Sequence, residues 1–303
     1  MKSDHWHVLG AGAIGCLFAS ALRSTGPVTL LLREATAAAA EVVVERDGGA
    51  SRVSLPISAA AQDGAISHLL VTTKAYDVRR AVSAVAHRLT PACQILLLGN
   101  GMGMADELRA DFPHLALYCG TTTAGAYRIA PLHVRHAGRG ATRIGQPGRR
   151  LAPPWFSRWS RTVADCTWDA QIEQALWLKL AINCAINPLT ALHGCRNGEL
   201  AARPELALQV ARLCDEIAAI AGAAGYSGVA RQVHGAVADV IAGTAHNRSS
   251  MLQDVAAGRR TEIDYISAYL LRVAARCNVP APANAALLRR IRALTAPRID
   301  PEG

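Results

Sequence analysis

The first half of the chain carries its apolar residues in short, nearly unbroken runs at 5–9, 28–32, 69–72 and 95–98. Runs of four or five such residues, bounded by turn formers, predict strands buried on both faces of a parallel sheet. Helical stretches are expected between them, the first over residues 13–24. Residues 134–145 predict a further pair of short strands separated by glycines, and 151–159, with Pro153-Pro154, a surface connection. After about Asp165 the pattern changes. From Gln171 onward, Ala- and Leu-rich sequence of helical period is broken by Pro188, Pro204, Gly225, Gly243, Gly258 and Pro280. At 303 residues two domains are expected, an α/β domain over 1–168 and an all-α domain over 169–303.

Composition narrows the class. A hydrophobic fraction of 51% supports packed cores. No uninterrupted apolar stretch reaches the roughly 18 residues of a membrane span, and Asp4 and His5 stand where a secretory signal needs apolar residues. The eight cysteines are scattered, with no C-x-x-C pair, as expected of reduced thiols in a cytoplasmic protein. His133 and His136 have no carboxylate or thiol at ligand spacing, so no metal is expected. The net charge of +9 is spread through Gly- and Pro-containing sequence with no nucleic-acid-binding motif beside it. It predicts a basic surface that attracts small anions rather than nucleic acid or membrane.

Gly10-Ala11-Gly12-Ala13-Ile14-Gly15 follows the first strand and opens the first helix. In that context the glycines allow a tight turn, close approach of a pyrophosphate and close helix packing, while the helix N-terminus offers free N–H groups to the anion. The first domain is therefore expected to be a Rossmann-type, doubly wound α/β fold that binds a nicotinamide dinucleotide. Arg33 ends the second strand, where an NAD-binding unit usually carries an acid. A guanidinium there suits the 2′-phosphate of NADPH, although Glu34 beside it is able to serve a ribose hydroxyl. Lys74 and Asn100 follow the third and fourth strands, on the side where ligands bind. Each is either a cofactor or substrate contact or an ordinary loop residue.

In the second half, Lys179, Asn183 and Asn187 recur every four residues in an otherwise apolar helix and so stack on one face. Pro188 is expected to break or kink that helix. A stripe of one ammonium and two amides fits a site that orients a polar substrate, and burial would bring the lysine towards neutrality, as a general acid requires. The alternative is a lysine that reaches the surface and amides that satisfy buried backbone. Asn197 sits in a turn soon after. Ser250 opens a helix whose N–H groups could receive a carboxylate, or is simply part of its cap. Glu262 and Asp264 enter an apolar helix expected to begin at Arg260 or Thr261.

Together these segments closely resemble the ketopantoate reductase (2-dehydropantoate 2-reductase) family. The matching pieces are residues 10–15, 31–33, 72–75, 100–103, 120–126, 177–191, 195–200, 247–254 and 260–266, and they run almost end to end. The resemblance implies NADPH-dependent reduction of a 2-oxo acid, ketopantoate, to pantoate in pantothenate and coenzyme A synthesis. It implies Lys179 as proton donor and Asn183, Asn187, Asn197 and Ser250 as substrate ligands, with Asn100 between substrate and cofactor. Arg33 and Lys74 would contact the adenosine phosphate end and Ala126 the cofactor backbone, while Glu262 would reach the nicotinamide ribose side. Where the family often has Asn-Gly after the T-E-I-D-Y-I segment, this chain has Ser267-Ala268, which bears on pocket shape. The expected partner is a small 2-oxo acid, the expected state a monomer or homodimer. The rival readings are a reductase of another 2-oxo acid and a non-catalytic NADPH sensor, which would have little use for Lys179, Asn183, Asn187 and Glu262 together.

Overall fold

The computed structural model describes residues 4–35 and 37–295. These form two compact units: one comprises the described residues up to Gly99 together with Met104–Glu173, the other Asn100–Gly103 and the residues from Gln174 onward.

The first unit is α/β. Its strands are β1 (Trp6–Leu9), β2 (Val28–Leu32), β3 (Ala39–Arg46), β4 (Gly49–Ala59), β5 (Ile66–Val71), β6 (Leu89–Leu98), β7 (Ala116–Thr122), β8 (Gly125–Ala130), β9 (His133–Gly138), β10 (Thr142–Gly145) and β11 (Cys166–Trp168). They lie in the order β11-β10-β7-β6-β5-β1-β2-β4-β3-β9-β8. From β7 to β4 every neighbouring pair is parallel. The central strands are buried, so their near-continuous apolar runs are what a sheet covered on both faces requires. The helices are α1 (Ala13–Arg23), α2 (Val78–Ala84), α3 (Met104–Asp111) and α4 (Phe156–Thr162). The chain leaves β1 towards β2 on one side and later enters β5 on the other, so β1 and β5 flank the topological switch point, where ligands of such sheets bind.

Two expectations fail here. Among the described residues no helix joins β2 to β5; instead β3 and β4 form a long antiparallel hairpin. Val42–Val44 are buried and β-branched, and Gly48 and Gly49 turn the chain at φ of +96° and +146°. Nor is 151–159 a surface connection, because Trp155, Phe156 and Trp159 are buried. The Trp155 and Trp159 rings meet Trp6 at 5.1 and 5.3 Å, and Trp155 Nε1 donates to Gln94 Oε1 at 2.6 Å. Pro153-Pro154 marks the entry to α4 rather than an exposed loop.

The second unit is helical: α5 (Ile172–His193, its part from Gln174), α6 (Glu199–Ala202), α7 (Pro204–Ala223), α8 (Ser227–Gly243), α9 (Ser250–Ala256), α10 (Ser267–Arg276) and α11 (Pro282–Leu294). Pro204 and Pro282 occupy first-turn positions, where a missing N–H costs nothing. Helix α5 is long and apolar enough to cross a membrane by length and composition, yet most of it lies inside the core of this unit. It does not break at Pro188 but runs on to His193. Residues 184–191 are all buried, so packing outweighs the one backbone hydrogen bond that proline removes. The described cysteines are free, all buried except half-buried Cys277. Among the described residues no cluster of His, Cys, Asp or Glu is arranged to hold a metal; His133 Nε2 instead meets Glu45 Oε1 at 2.8 Å.

Candidate functional site

In the α/β unit the glycine turn lies at the switch point. Gly10 has φ +111°, and a Cβ there would stand 2.6 Å from the Thr73 nitrogen. Thr72, at the end of β5, locks the turn: its N–H donates to the Leu9 carbonyl at 2.9 Å and its hydroxyl to the Gly10 carbonyl at 2.7 Å. Gly15 packs so closely that a Cβ would lie 2.0 Å from the Gly10 oxygen. Gly12 differs, since a Cβ on it would meet nothing within 4 Å. It is the N-cap of α1 and makes no side-chain cap, and the first turn of that helix contains no acid. Open space in front of uncapped helix N–H groups fits the pyrophosphate of a dinucleotide.

Arg33 is exposed just beyond β2, and its guanidinium comes within 4.0 Å of Asp77 Oδ2, an acid that Arg80 also holds at 2.6 Å. Lys74 is half-buried immediately before the short turn Ala75–Asp77. These residues form a basic rim beyond the ends of β2 and β5. Ala126 lies in β8 opposite His136 and packs against the apolar cluster that includes α1. Thr72 and Arg80 escaped the sequence reading, because a lone hydroxyl or arginine in a loop carries no spacing signal.

In the helical unit, Lys179 and Asn183 are half-buried and Asn187 is buried along α5. Burial pushes the Lys179 ammonium down to about 8, partly opposed by the negative charge of Glu262. Glu262 is only 5% exposed. It does not enter a helix that starts at Arg260 or Thr261; residues 262–266 form a turn, and α10 begins at Ser267. The turn is fixed by Ala268 N–H donating to the Ile263 carbonyl at 3.1 Å and by Met102 N–H donating to the Tyr265 carbonyl at 2.8 Å. Asn100 Nδ2 donates to Glu262 Oε2 at 3.2 Å, so the loop 100–103 presents its amide to the same carboxylate. Gly101 is needed for that approach: at φ +80°, its Cβ position is 2.5 Å from the Tyr265 oxygen. Ser267 and Ala268 are both buried, and Ser267 hydrogen-bonds the thiol of Cys184 on α5.

Asn197 is buried, donating through Nδ2 to Thr244 Oγ1 at 2.8 Å and through its N–H to the Asn247 carbonyl at 3.0 Å. Its Oδ1 has no hydrogen-bond partner among the described residues. At 249–250 the two serines divide the work. Ser249 is the N-cap of α9, its Oγ accepting from Leu252 N–H at 3.1 Å, and exposed Ser250 is the first helical residue. The capping alternative thus belongs to Ser249, and Ser250 keeps its hydroxyl for other use. Of the N–H groups at the start of α9, that of Leu252 is thus engaged by Ser249.

A lysine with a lowered pKa, a carboxylate and several amides thus occur on one unit, and a glycine turn with a basic rim on the other. Residues 6–149 match the family described as ketopantoate reductase PanE/ApbA, and 171–295 match its C-terminal part. A 2-dehydropantoate 2-reductase of Vibrio cholerae is 37% identical over 294 residues, which cover 95% of this chain and 96% of that one. The chain belongs to the ketopantoate reductase family. Membership in this family of oxidoreductases extends to solved structures. A PanE/ApbA family ketopantoate reductase from Ralstonia eutropha JMP134 is similar with a TM-score of 0.85 at 25% identity, covering 96% of this chain and 98% of that one. A D-mandelate dehydrogenase, solved with NADH and anilino(oxo)acetate, shares the fold with a TM-score of 0.86 at 22% identity over the same shares.

Proposed function

We propose that the protein reduces ketopantoate to pantoate with NADPH. The observation that carries this reading is Lys179: a half-buried amine brought down to about 8, influenced by Glu262, on a helix face that also bears Asn183 and Asn187. Bound NADPH would supply a hydride for the C2 carbonyl. Lys179 Nζ then gives a proton to the carbonyl oxygen as negative charge grows there, and its positive charge stabilises that oxygen beforehand. The products are the 2-hydroxy acid, NADP⁺ and a neutral lysine that takes its proton back from water.

Asn183, Asn187, Asn197 and Ser250 orient the substrate through its hydroxyl and carboxylate. Glu262 keeps Lys179 protonated to higher pH than burial alone would allow, and Asn100 holds Glu262 in place. The open space at Gly12 receives the pyrophosphate and Arg33 with Lys74 the 2′-phosphate end. Ala126 contributes backbone to the cofactor side. The scattered basic charge serves these anions, and a cytoplasmic setting without membrane or nucleic-acid partner is part of the same reading.

A reductase of another 2-oxo acid is the second reading. It is favoured by the fold shared with a D-mandelate dehydrogenase and by Ser267-Ala268 beside the Glu262 turn. The deciding experiment follows NADPH oxidation by purified protein offered ketopantoate, 2-oxoisovalerate or oxaloacetate. Ketopantoate is expected to give the highest kcat/KM, and a clear preference for either of the others would replace the first reading with the second.

A further inference from the structure

The polar face of α5 does not end at Asn187. Eleven residues are close to three full helical turns, so Thr190 lies within about 20° of Lys179 around the axis, on the same stripe. Thr190 is completely buried. Its hydroxyl oxygen is 3.0 Å from the carbonyls of both Ile186 and Asn187 and 2.7 Å from Ser249 Oγ. Ser249 Oγ in turn accepts the Leu252 N–H. Each hydroxyl has one proton and two lone pairs, so one arrangement satisfies all of these contacts. Leu252 N–H donates to Ser249, the Ser249 hydroxyl donates to Thr190, and the Thr190 hydroxyl donates to its own helix.

Thr190 does not need Ser249 for local reasons, because a helical threonine donates to a carbonyl one turn back. Ser249 as N-cap offers only a lone pair to its helix, so its buried proton needs an acceptor, and Thr190 supplies it. What the contact between them adds is a fixed distance between α5 and the start of α9. Asn187 lies three residues before Thr190, and Ser250 directly follows Ser249 in the chain.

We propose that Thr190 and Ser249 form a buried hydroxyl relay that positions Ser250 relative to Asn187, and so sets how tightly the substrate carboxylate is held. The relay rests on the reading of the site given above. Thr190 and Ser249 are positioning residues; they act through Ser250 and Asn187 and touch no reacting atom.

The test is steady-state kinetics on the full chain, with ketopantoate and NADPH, for Thr190→Val and Thr190→Ser. Valine keeps the shape and removes the hydroxyl; serine keeps the hydroxyl and removes the methyl. Loss of a neutral hydrogen bond of about 0.7–1.4 kcal/mol predicts a rise of about threefold to tenfold in the ketopantoate KM for T190V. Its kcat and its KM for NADPH should stay within about twofold of wild type, since ground-state anchoring alone is removed. T190S should restore the ketopantoate KM. If T190V does not fold, Ser249→Ala replaces it, with the same selective rise in KM expected. An unchanged KM in the hydroxyl-free variant overturns the relay, as does a T190S enzyme impaired as much as T190V. A wild-type protein inert towards every 2-oxo acid overturns the functional reading itself and the relay with it, whereas an active wild type beside an unaffected T190V overturns the relay alone.

Discussion

Asn100 and Glu262, 162 positions apart in the chain, are joined by a 3.2 Å hydrogen bond from the Asn100 amide to the Glu262 carboxylate. The bond restrains the one acid whose charge raises the Lys179 pKa, against the burial that lowers it. Lys179 is therefore poised by two opposed effects, of which burial is the larger. If it donates the proton, reduction needs the ammonium form, and kcat/KM should fall as pH rises through about 8. Glu262→Gln removes the charge that raises the pKa, so this alkaline limb should move to lower pH. Lys179→Ala should lower kcat by about a hundredfold or more with the fold intact. A pH–rate profile for wild type and E262Q, with kcat and circular dichroism of K179A, checks all three. A limb that stays in place in E262Q would remove Glu262 from the acid's control.

The two glycines of the turn after β1 should respond oppositely to alanine. In Gly15→Ala the new methyl meets the Gly10 carbonyl, which Thr72 already holds, so the turn must open. Overpacking of this kind predicts a loss of about 3 kcal/mol or more. Gly12→Ala meets no neighbour within 4 Å, at an ordinary φ of −79°. Its stability should stay within about 1 kcal/mol of wild type, the small loss at an N-cap being set against a stiffer unfolded chain. The methyl would nevertheless occupy the space proposed for the pyrophosphate. Thermal melts and NADPH titrations on both variants separate the effects; undiminished NADPH affinity in G12A would show that the cofactor lies elsewhere.

Arg33 is the residue on which the choice of NADPH rests. It is exposed and its ionic neighbour Asp77 is shared with Arg80, so little rearrangement would free it to meet a phosphate. Arg33→Asp replaces a charge-assisted donor by a second acid beside Asp77. The KM for NADPH should rise by about tenfold or more, and that for NADH far less. Equal effects on both cofactors would remove Arg33 from the 2′-phosphate site.

The sequence made the β1 turn and the Lys179 stripe readable for different physical reasons. Glycines with required backbone geometry and polar residues at helical spacing in an apolar helix are both local signals. The β3–β4 hairpin was missed because an alanine-rich approach, residues 37–40, precedes the valines that decide for strand. Helix α5 passes through Pro188 because its surroundings are packed, and the role of Trp155 and Trp159 depends on Trp6, some 150 residues away; neither can be read locally. The same limit hid Thr190, whose meaning lies in Ser249, and the turn at Glu262, which is held by Tyr265 and Met102.

The region around the β1 N-terminus predicts acid sensitivity. His7 is 5% exposed, and burial first, then the positive charges of His5, Arg88 and His68, push it down from 6.5 to about 4. His5 stacks on it at 4.3 Å and is itself lowered by burial and by Arg158; His68, lowered mainly by burial, lies 3.8 Å from Asp4. With the folded pKa below the unfolded one, the unfolded chain takes up the proton first as pH falls. Stability from His7 is therefore complete above about pH 6.5 and is lost between there and about pH 4, to an extent on the order of 3 kcal/mol. Carboxylates such as Asp111, held below its usual range by Arg79, act mostly in a more acid window. Thermal melts should show Tm falling from pH 7 to pH 5. His7→Gln, which cannot titrate, should flatten that slope whatever its effect on Tm at neutral pH; an unchanged slope would place the acid sensitivity in other groups.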